Sequence, residues 1–304
     1  MAKTLFYLFR NPRSGLLTIS MDITKELPFI MMQQPHYFPH SKKIFEIPLL
    51  DNVTSLGVLH IPHSQEKTFP LVIVLHGLAS SKIGTKRSYL HLANQLVQEG
   101  IGVLRVDLPG HGDSEGFIHE FSLTDYIQAS QKIIQFGLSL PQANHSVALF
   151  GSSLGGSLSL LNLPYFPEIQ HAAIWTPTIQ GALWLEDTMQ SMSPSLQLPP
   201  DNFSYQGIPL GKKFCSQFIE LDTVASPALS KITQEVSILY LQGEDDAVVS
   251  LRHQALFAKT FTGKASYRTY PKMTHQLCIY SEAFQDLVDW LKHQLLGTPW
   301  SYSL

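Results

Sequence analysis

The chain has 304 residues, of which 44% are apolar and 15% charged, enough apolar material to build one large core. A formal net charge of −3, with no basic run longer than pairs such as Lys42-Lys43, argues against a nucleic-acid partner. No run of about 18 apolar residues occurs, so neither a membrane-spanning helix nor a stable membrane anchor is expected.

In chain order, residues 1–36 come first. Their short apolar run is cut by Arg10 well before the length of a secretory leader, and they show neither helical nor strand periodicity. They read as an N-terminal extension of a cytoplasmic protein. The two cysteines, Cys215 and Cys278, lie far apart without metal spacing, which fits free thiols in a reduced compartment.

From Lys43 onward, short β-rich runs alternate with amphipathic ones. "KIFEIPLL" and "TSLGVLHIP" predict an antiparallel opening pair, whereas "PLVIVLHG", "GIGVLRVDLPG", "HSVALFGS", "HAAIWTP", "VSILYLQG" and "ASYRTYP" predict later strands. Several of these are continuously apolar, as strands covered on both faces of a mostly parallel sheet must be. Between them, "KRSYLHLANQLVQEG" places Leu90, Ala93, Leu96 and Val97 at helical spacing and stops at Gly100. "SLTDYIQASQKIIQFGL" opens on a Ser122 cap with Asp125 three residues on, and "RHQALFAKTF" and "SEAFQDLVDWLKHQLLG" supply further helices. The pattern is α/β around one sheet.

Residues 177–228 break the alternation with prolines and scattered aromatics, and are too long for an ordinary connection. They predict a cap or lid inserted between a first core segment, 37–176, and a second, 229–304.

The stretch "LFGSSLGGSLSL" meets the spacing G-x-S-x-G at Gly151, Ser153 and Gly155, after an apolar run and before a helix-like one. A nucleophile at such a tip needs small neighbours two residues away on each side, which singles out Ser153 over Ser152, Ser157 and Ser159. A serine hydroxyl needs a base, and the base an acid. "YLQGEDDAVVS" offers Glu244, Asp245 and Asp246, and "YPKMTHQL" offers His275, each just after a predicted strand. "VIVLHGLASS" supplies a loop after a strand, where the Leu78 amide, with that of Leu154, is suited to hold an oxyanion.

Asp107 and His111 in "DLPGHGD", and His76, read as residues that order loop backbone, and Cys278 as packing. None of the thirteen histidines shows a zinc-ligand spacing, so no metal and no cofactor are expected. Trp175, Trp184, Phe203, Tyr205 and Phe214 are candidates for an apolar substrate pocket.

The pieces "LHGLASS", "VDLPGHGDSEG", "GSSLGG", "LQGEDDAVV" and "THQL", in this order, resemble the α/β-hydrolase superfamily over about residues 43–297. The resemblance implies a mostly parallel eight-stranded sheet flanked by helices, with Ser153 as nucleophile, His275 as base, and Asp246, third after Gly243, as the acid. The look is nearest the feruloyl and cinnamoyl esterases and related acylglycerol lipases, which implies hydrolysis of a small-molecule ester by a monomer or homodimer. Ser152 stands where that branch often has histidine, and no glycine precedes His275. A thioesterase or acyltransferase would use the same residues, and a non-catalytic ligand-binding relative would retain the fold.

Overall fold

A computed structural model describes residues 4–11, 15–22, 40–63, 67–191, 204–223 and 236–300. Two compact units divide the chain, 1–39 and 40–304.

In the first unit β1 (Thr4–Asn11) pairs antiparallel with β2 (Gly15–Asp22), in a register running from Thr4 opposite Asp22 to Asn11 opposite Gly15. Strands were not expected here. The run "TLFYLFRN" carries only β-favouring composition, but "GLLTISMD" alternates Leu17, Ile19 and Met21 with Thr18, Ser20 and Asp22, a period of two over six residues that marks a strand.

The second unit opens with β3 (Ser41–Leu50), β4 (Val53–Ile61) and β5 (Phe69–Leu75), then α1 (Ser88–Gln98), β6 (Gly102–Val106), α2 (Leu123–Ser139), β7 (Ala143–Ser152), α3 (Leu154–Asn162) and β8 (His171–Trp175). Next come α4 (Gly181–Ser191), the short strands β9 (Ser204–Tyr205) and β10 (Ile208–Pro209), and α5 (Lys212–Ile219). It closes with β11 (Ser237–Gly243), α6 (Leu251–Thr260), β12 (Lys264–Tyr270) and α7 (Glu282–Leu296).

Eight strands form one sheet in the order β12-β11-β8-β7-β5-β6-β4-β3. β3 pairs antiparallel with β4, and β4 with β6; the pairings from β6 through β12 are parallel. Helix boundaries follow local chemistry. The Ser122 hydroxyl accepts the Asp125 amide while the Asp125 carboxylate accepts the Ser122 amide, and Ser281 caps α7, which ends at Gly297.

Alternation along each strand feeds two cores. In β5, Leu71, Ile73 and Leu75 join Tyr126 and Ile133 of α2 and Leu158 of α3 on one face, whereas Val72 and Val74 meet Leu92 and Leu96 of α1 and Leu287 and Leu291 of α7 on the other. With both faces covered, every residue of β6 and β11 is buried.

The segment carrying α4 to α5 leaves and returns at one place. Gln180 bridges Asp222, the Gly181 amide donates to the Leu221 carbonyl (2.8 Å), and the Thr223 amide donates to the Ile179 carbonyl (2.9 Å). Its aromatics are not a separate core. Phe214 meets Tyr126 of α2 edge-on at 5.7 Å and stacks on Phe218 at 5.3 Å, which in turn meets Trp184 at 5.2 Å.

Candidate active site

β7 ends in Gly151-Ser152, and α3 begins at Leu154. Between them Ser153 adopts φ 53°, ψ −121°, a conformation that L residues rarely hold. It is held from both sides: the Ser153 amide donates to the Trp175 carbonyl (2.9 Å), and its carbonyl accepts the Ser157 amide (3.1 Å). The turn presents Ser153, half-buried, at the sheet's carboxyl edge while Ser152 stays buried beneath it.

Asp246 and His275 arrive from β11 and β12 and meet there. His275 Nδ1 lies 2.8 Å from Asp246 Oδ2, and the Asp246 side chain is fully shielded while His275 is 16% exposed. Asp246 Oδ1 accepts the amides of Val248 (2.8 Å) and Val249 (2.9 Å), so the carboxylate's orientation is fixed by its own loop. The neighbours Glu244 and Asp245 are exposed. With Nδ1 donating to the carboxylate, Nε2 is left as the basic nitrogen. Among the described residues no hydrogen bond joins Nε2 to Ser153 Oγ; the imidazole's contacts with Asp246 and Thr176 are both at Nδ1.

Of two groups that sequence reasoning missed, one touches His275 and the other braces the loop of Asp246. Thr176, fully buried, carries φ 43°, an outlier for a β-branched residue, and its hydroxyl lies 3.2 Å from His275 Nδ1. Gln242 donates to the Val249 carbonyl (2.8 Å), bracing the acid's loop. Nothing local marks either: Thr176 reaches His275 across 99 residues, and Gln242 braces the loop that follows its own strand.

Trp175 does not line a pocket. Its indole N–H donates to the His275 carbonyl (2.8 Å), and its ring is fully buried among Val72, Val74 and Leu239, on the α1–α7 side of the sheet. The period of two sends its side chain away from the segment that carries Trp184 and Phe214. Those two, with Leu78, Leu185, Leu210, Cys215, Phe218 and Ile219, line a small apolar cleft. Tyr205 packs against Trp184 at 6.1 Å; Phe203 lies outside the described residues. Leu78 thus brings its side chain as well as its amide.

The loop bearing Leu78 runs close beside Ser153: a β-carbon added to Gly77 would stand 3.1 Å from the Ser153 β-carbon. Two buried histidines anchor it. His76 Nδ1 donates to the Gly77 carbonyl (2.8 Å) and its Nε2 accepts the Leu108 amide (2.9 Å). His111 Nδ1 donates to the Pro109 carbonyl (2.9 Å) and its Nε2 accepts the Ala79 amide (3.1 Å). Burial lowers the basicity of both, His111 down to about 3, so they serve as neutral connectors. Lys82, buried, joins Asp107 and, at 2.5 Å, Asp113. Burial raises the Asp107 carboxyl, but the Lys82 ammonium and the amides of Lys82 and Asp113 outweigh it and hold the group below its ordinary value. Tyr89 reaches the loop from α1. Its buried hydroxyl, pushed up by burial, faces the hydroxyls of Ser152 and Ser80 and the main chain of Gly77.

Leu154 heads α3, so its amide is among the unpaired donors at the helix's positive end, beside Ser153. A serine at the head of a helix, on the sheet edge that also carries a histidine–carboxylate pair, is an arrangement in which a helix-end amide can stabilise an oxyanion and an imidazole can move a proton. Both cysteines are free thiols. Among the described residues no group of three or more His, Cys, Asp or Glu side chains could hold a metal ion, and no helix is long and apolar enough to cross a membrane.

Residues 66–206 match the family described as serine aminopeptidase, S33. Over 160 residues, 51% of this chain, the sequence is 28% identical to Esterase FrsA of Yersinia pestis and of Yersinia pseudotuberculosis. The match spans 37% of the length of those curated relatives. Est1E from Butyrivibrio proteoclasticus, solved with ferulic acid bound, superposes with a TM-score of 0.67 at 20% identity, over 83% of this chain and 98% of that one. An esterase of Pyrococcus furiosus superposes with a TM-score of 0.62 at 18% identity, over 85% of this chain and 91% of that one. Sheet order, the strained turn between β7 and α3, and the likeness to these solved structures together give the chain the α/β-hydrolase fold.

Proposed function

We propose that the protein is a serine hydrolase that cleaves carboxylic esters through an acyl-enzyme. The observation that carries this reading is the Asp246–His275 contact of 2.8 Å at the edge where the strained Ser153 turn stands. Ser153 Oγ attacks the ester carbonyl while its proton passes to His275 Nε2, and Asp246 stabilises the imidazolium. The amides of Leu78 and Leu154 hold the resulting oxyanion. The C–O bond to the alcohol then breaks, the alcohol leaves with the proton from His275, and water, activated by the same nitrogen, releases the acid and restores Ser153.

The substrate class follows from the cleft. Its lining is apolar throughout and offers no carboxylate to anchor a substrate's free amino group, which favours apolar acyl or aromatic esters over the peptides suggested by the aminopeptidase family's description. On this reading the segment from α4 to α5 is the lid, with Trp184 and Phe214 its substrate-facing aromatics and Tyr205 behind them. The free thiols of Cys215 and Cys278 support a reducing, cytoplasmic setting.

The test is hydrolysis of p-nitrophenyl esters from acetate to palmitate, and of methyl ferulate, by the wild type and Ser153→Ala. Activity that falls by about 10³-fold or more in the variant is expected. Labelling of Ser153 by a fluorophosphonate with no ester turned over would assign the acyl group to another acceptor; no labelling would leave a binding protein.

A further inference from the structure

The cleft wall and the loop of the acid are joined at one residue. Trp184 and Leu185 of α4 line the cleft. Asp187, two residues on, points instead to the start of α6: its Oδ2 accepts the Ser250 hydroxyl (2.5 Å) and its Oδ1 accepts Arg252 Nη1 (3.0 Å). Glu186 adds a contact to Arg252 Nη2 (3.1 Å), but both of those side chains are more than half exposed. That outer pair is screened and weak, whereas the Asp187 carboxylate is only 9% exposed and its hydrogen bonds are charge-assisted.

His253 strengthens the joint. It is fully buried, its Nδ1 accepts the Ile179 amide (3.0 Å) just before α4, and its Nε2 has no hydrogen-bond partner and lies 3.7 Å from Asp187 Oδ2.

Ser250 closes a stretch that begins at Asp246, the carboxylate that meets His275. Most of the stretch is bonded: Asp246 Oδ1 holds the Val248 and Val249 amides, Gln242 holds the Val249 carbonyl, and Ser250 Oγ accepts the Arg252 amide (3.3 Å) at the head of α6. A stretch so short and so tied cannot absorb a shift of α4, so a displacement of the cleft wall is passed to the acid.

Resting on the ester reading above, we propose that Asp187 is a positioning residue: it couples filling of the apolar cleft to alignment of the Asp246–His275 pair. Acyl chains long enough to press on Trp184 and Leu185 are then turned over faster, not merely bound more tightly, because remote binding energy is expressed at the reacting centre. Short acyl groups that do not reach the wall gain nothing from Asp187.

The experiment measures kcat and KM separately for p-nitrophenyl esters from acetate to decanoate in the wild type, Asp187→Ala, Asp187→Asn and Glu186→Ala. Asp187→Ala is expected to lower kcat on the octanoate at least tenfold at nearly unchanged KM, and on the acetate less than twofold. Asp187→Asn, which keeps an acceptor for Ser250, recovers most of the octanoate rate, and Glu186→Ala, which cuts only the exposed pair, changes either rate less than twofold. An equal loss at every chain length, or one confined to KM, overturns the coupling. Should Asp187→Ala not fold, Ser250→Ala cuts the same bond from α6 and is judged by the same pattern. A wild type inactive on every chain length fails the ester reading itself, whatever the Asp187 variants do.

Discussion

Gly155 lies directly against Leu75: a β-carbon on Gly155 would stand 2.0 Å from the Leu75 carbonyl oxygen and 2.7 Å from that of His76. The first turn of α3 is thereby pressed onto the end of β5, which brings the serine after one strand beside the Gly77–Leu78 loop after the next. Backbone cannot yield as a flexible side chain can. Gly155→Ala is expected to destabilise the fold by about 3 kcal/mol and to lower the thermal midpoint accordingly. An unchanged midpoint in differential scanning calorimetry would refute this contact.

Three acids follow Gly243, and only one is buried against His275. Asp246→Asn is expected to reduce kcat by about 10⁴-fold, because an amide no longer stabilises the imidazolium or selects its tautomer. Asp245→Asn, at an exposed position, is expected to change kcat less than twofold. Steady-state kinetics on one activated ester decide between them, and equal losses would mean that the wrong acid has been named.

The buried Tyr89 hydroxyl on α1 faces Ser152, Ser80 and the Gly77 main chain, on both sides of the proposed oxyanion site. Removing its hydroxyl while keeping the ring should loosen the spacing of the Leu78 and Leu154 amides without touching the cleft. Tyr89→Phe is expected to lower kcat by about tenfold at constant KM, a loss of about 1.4 kcal/mol in the transition state alone. A rise in KM with kcat intact would place the effect on substrate binding instead.

The Lys82 ammonium neutralises a fully buried Asp107 carboxylate. Lys82→Met leaves that charge without its partner, and breaking a buried pair from one side costs about 3–5 kcal/mol. Urea unfolding of the variant measures this directly; a loss under about 1 kcal/mol would show that the pair is no better than a surface one.

Stability should also depend on pH through His60, His76 and His111. Burial, aided by Arg105 at His60 and by His76 at His111, pushes His60 and His111 down to about 3 from the ordinary 6.5. Unfolded, each takes up a proton near 6.5; folded, it does not until about 3. The unfolded state binds more protons across that window, so stability is full above it and falls as pH drops, by up to about 1.4 kcal/mol per unit per histidine. Urea midpoints at pH 7.5, 6 and 5 should decline, and more gently in His111→Gln, which has one fewer such group. Parallel declines would rule His111 out as a contributor.

What the sequence determined by itself was local. Continuous apolar runs and capped amphipathic ones dictated a parallel sheet covered on both faces, because a strand or helix with that pattern is stable only when so buried. The spacing of Gly151, Ser153 and Gly155 likewise determined a strained turn, since small residues must flank it to close. The alternation of Leu17, Ile19 and Met21 with Thr18, Ser20 and Asp22 was legible for β2, whereas β1 offers an apolar run with no period, so its pairing with β2 was not. Tertiary structure alone decided the rest. Which of Glu244, Asp245 and Asp246 faces His275 depends on burial at the junction of β11 and α6, and Trp175 was turned from a pocket wall into a brace for His275 by the face of β8 on which it falls. Thr176, Tyr89 and Asp187 act on groups far away in sequence, as Thr176 does on His275 across 99 residues. Such contacts are set by how the sheet orders its strands, and no local period or spacing records them.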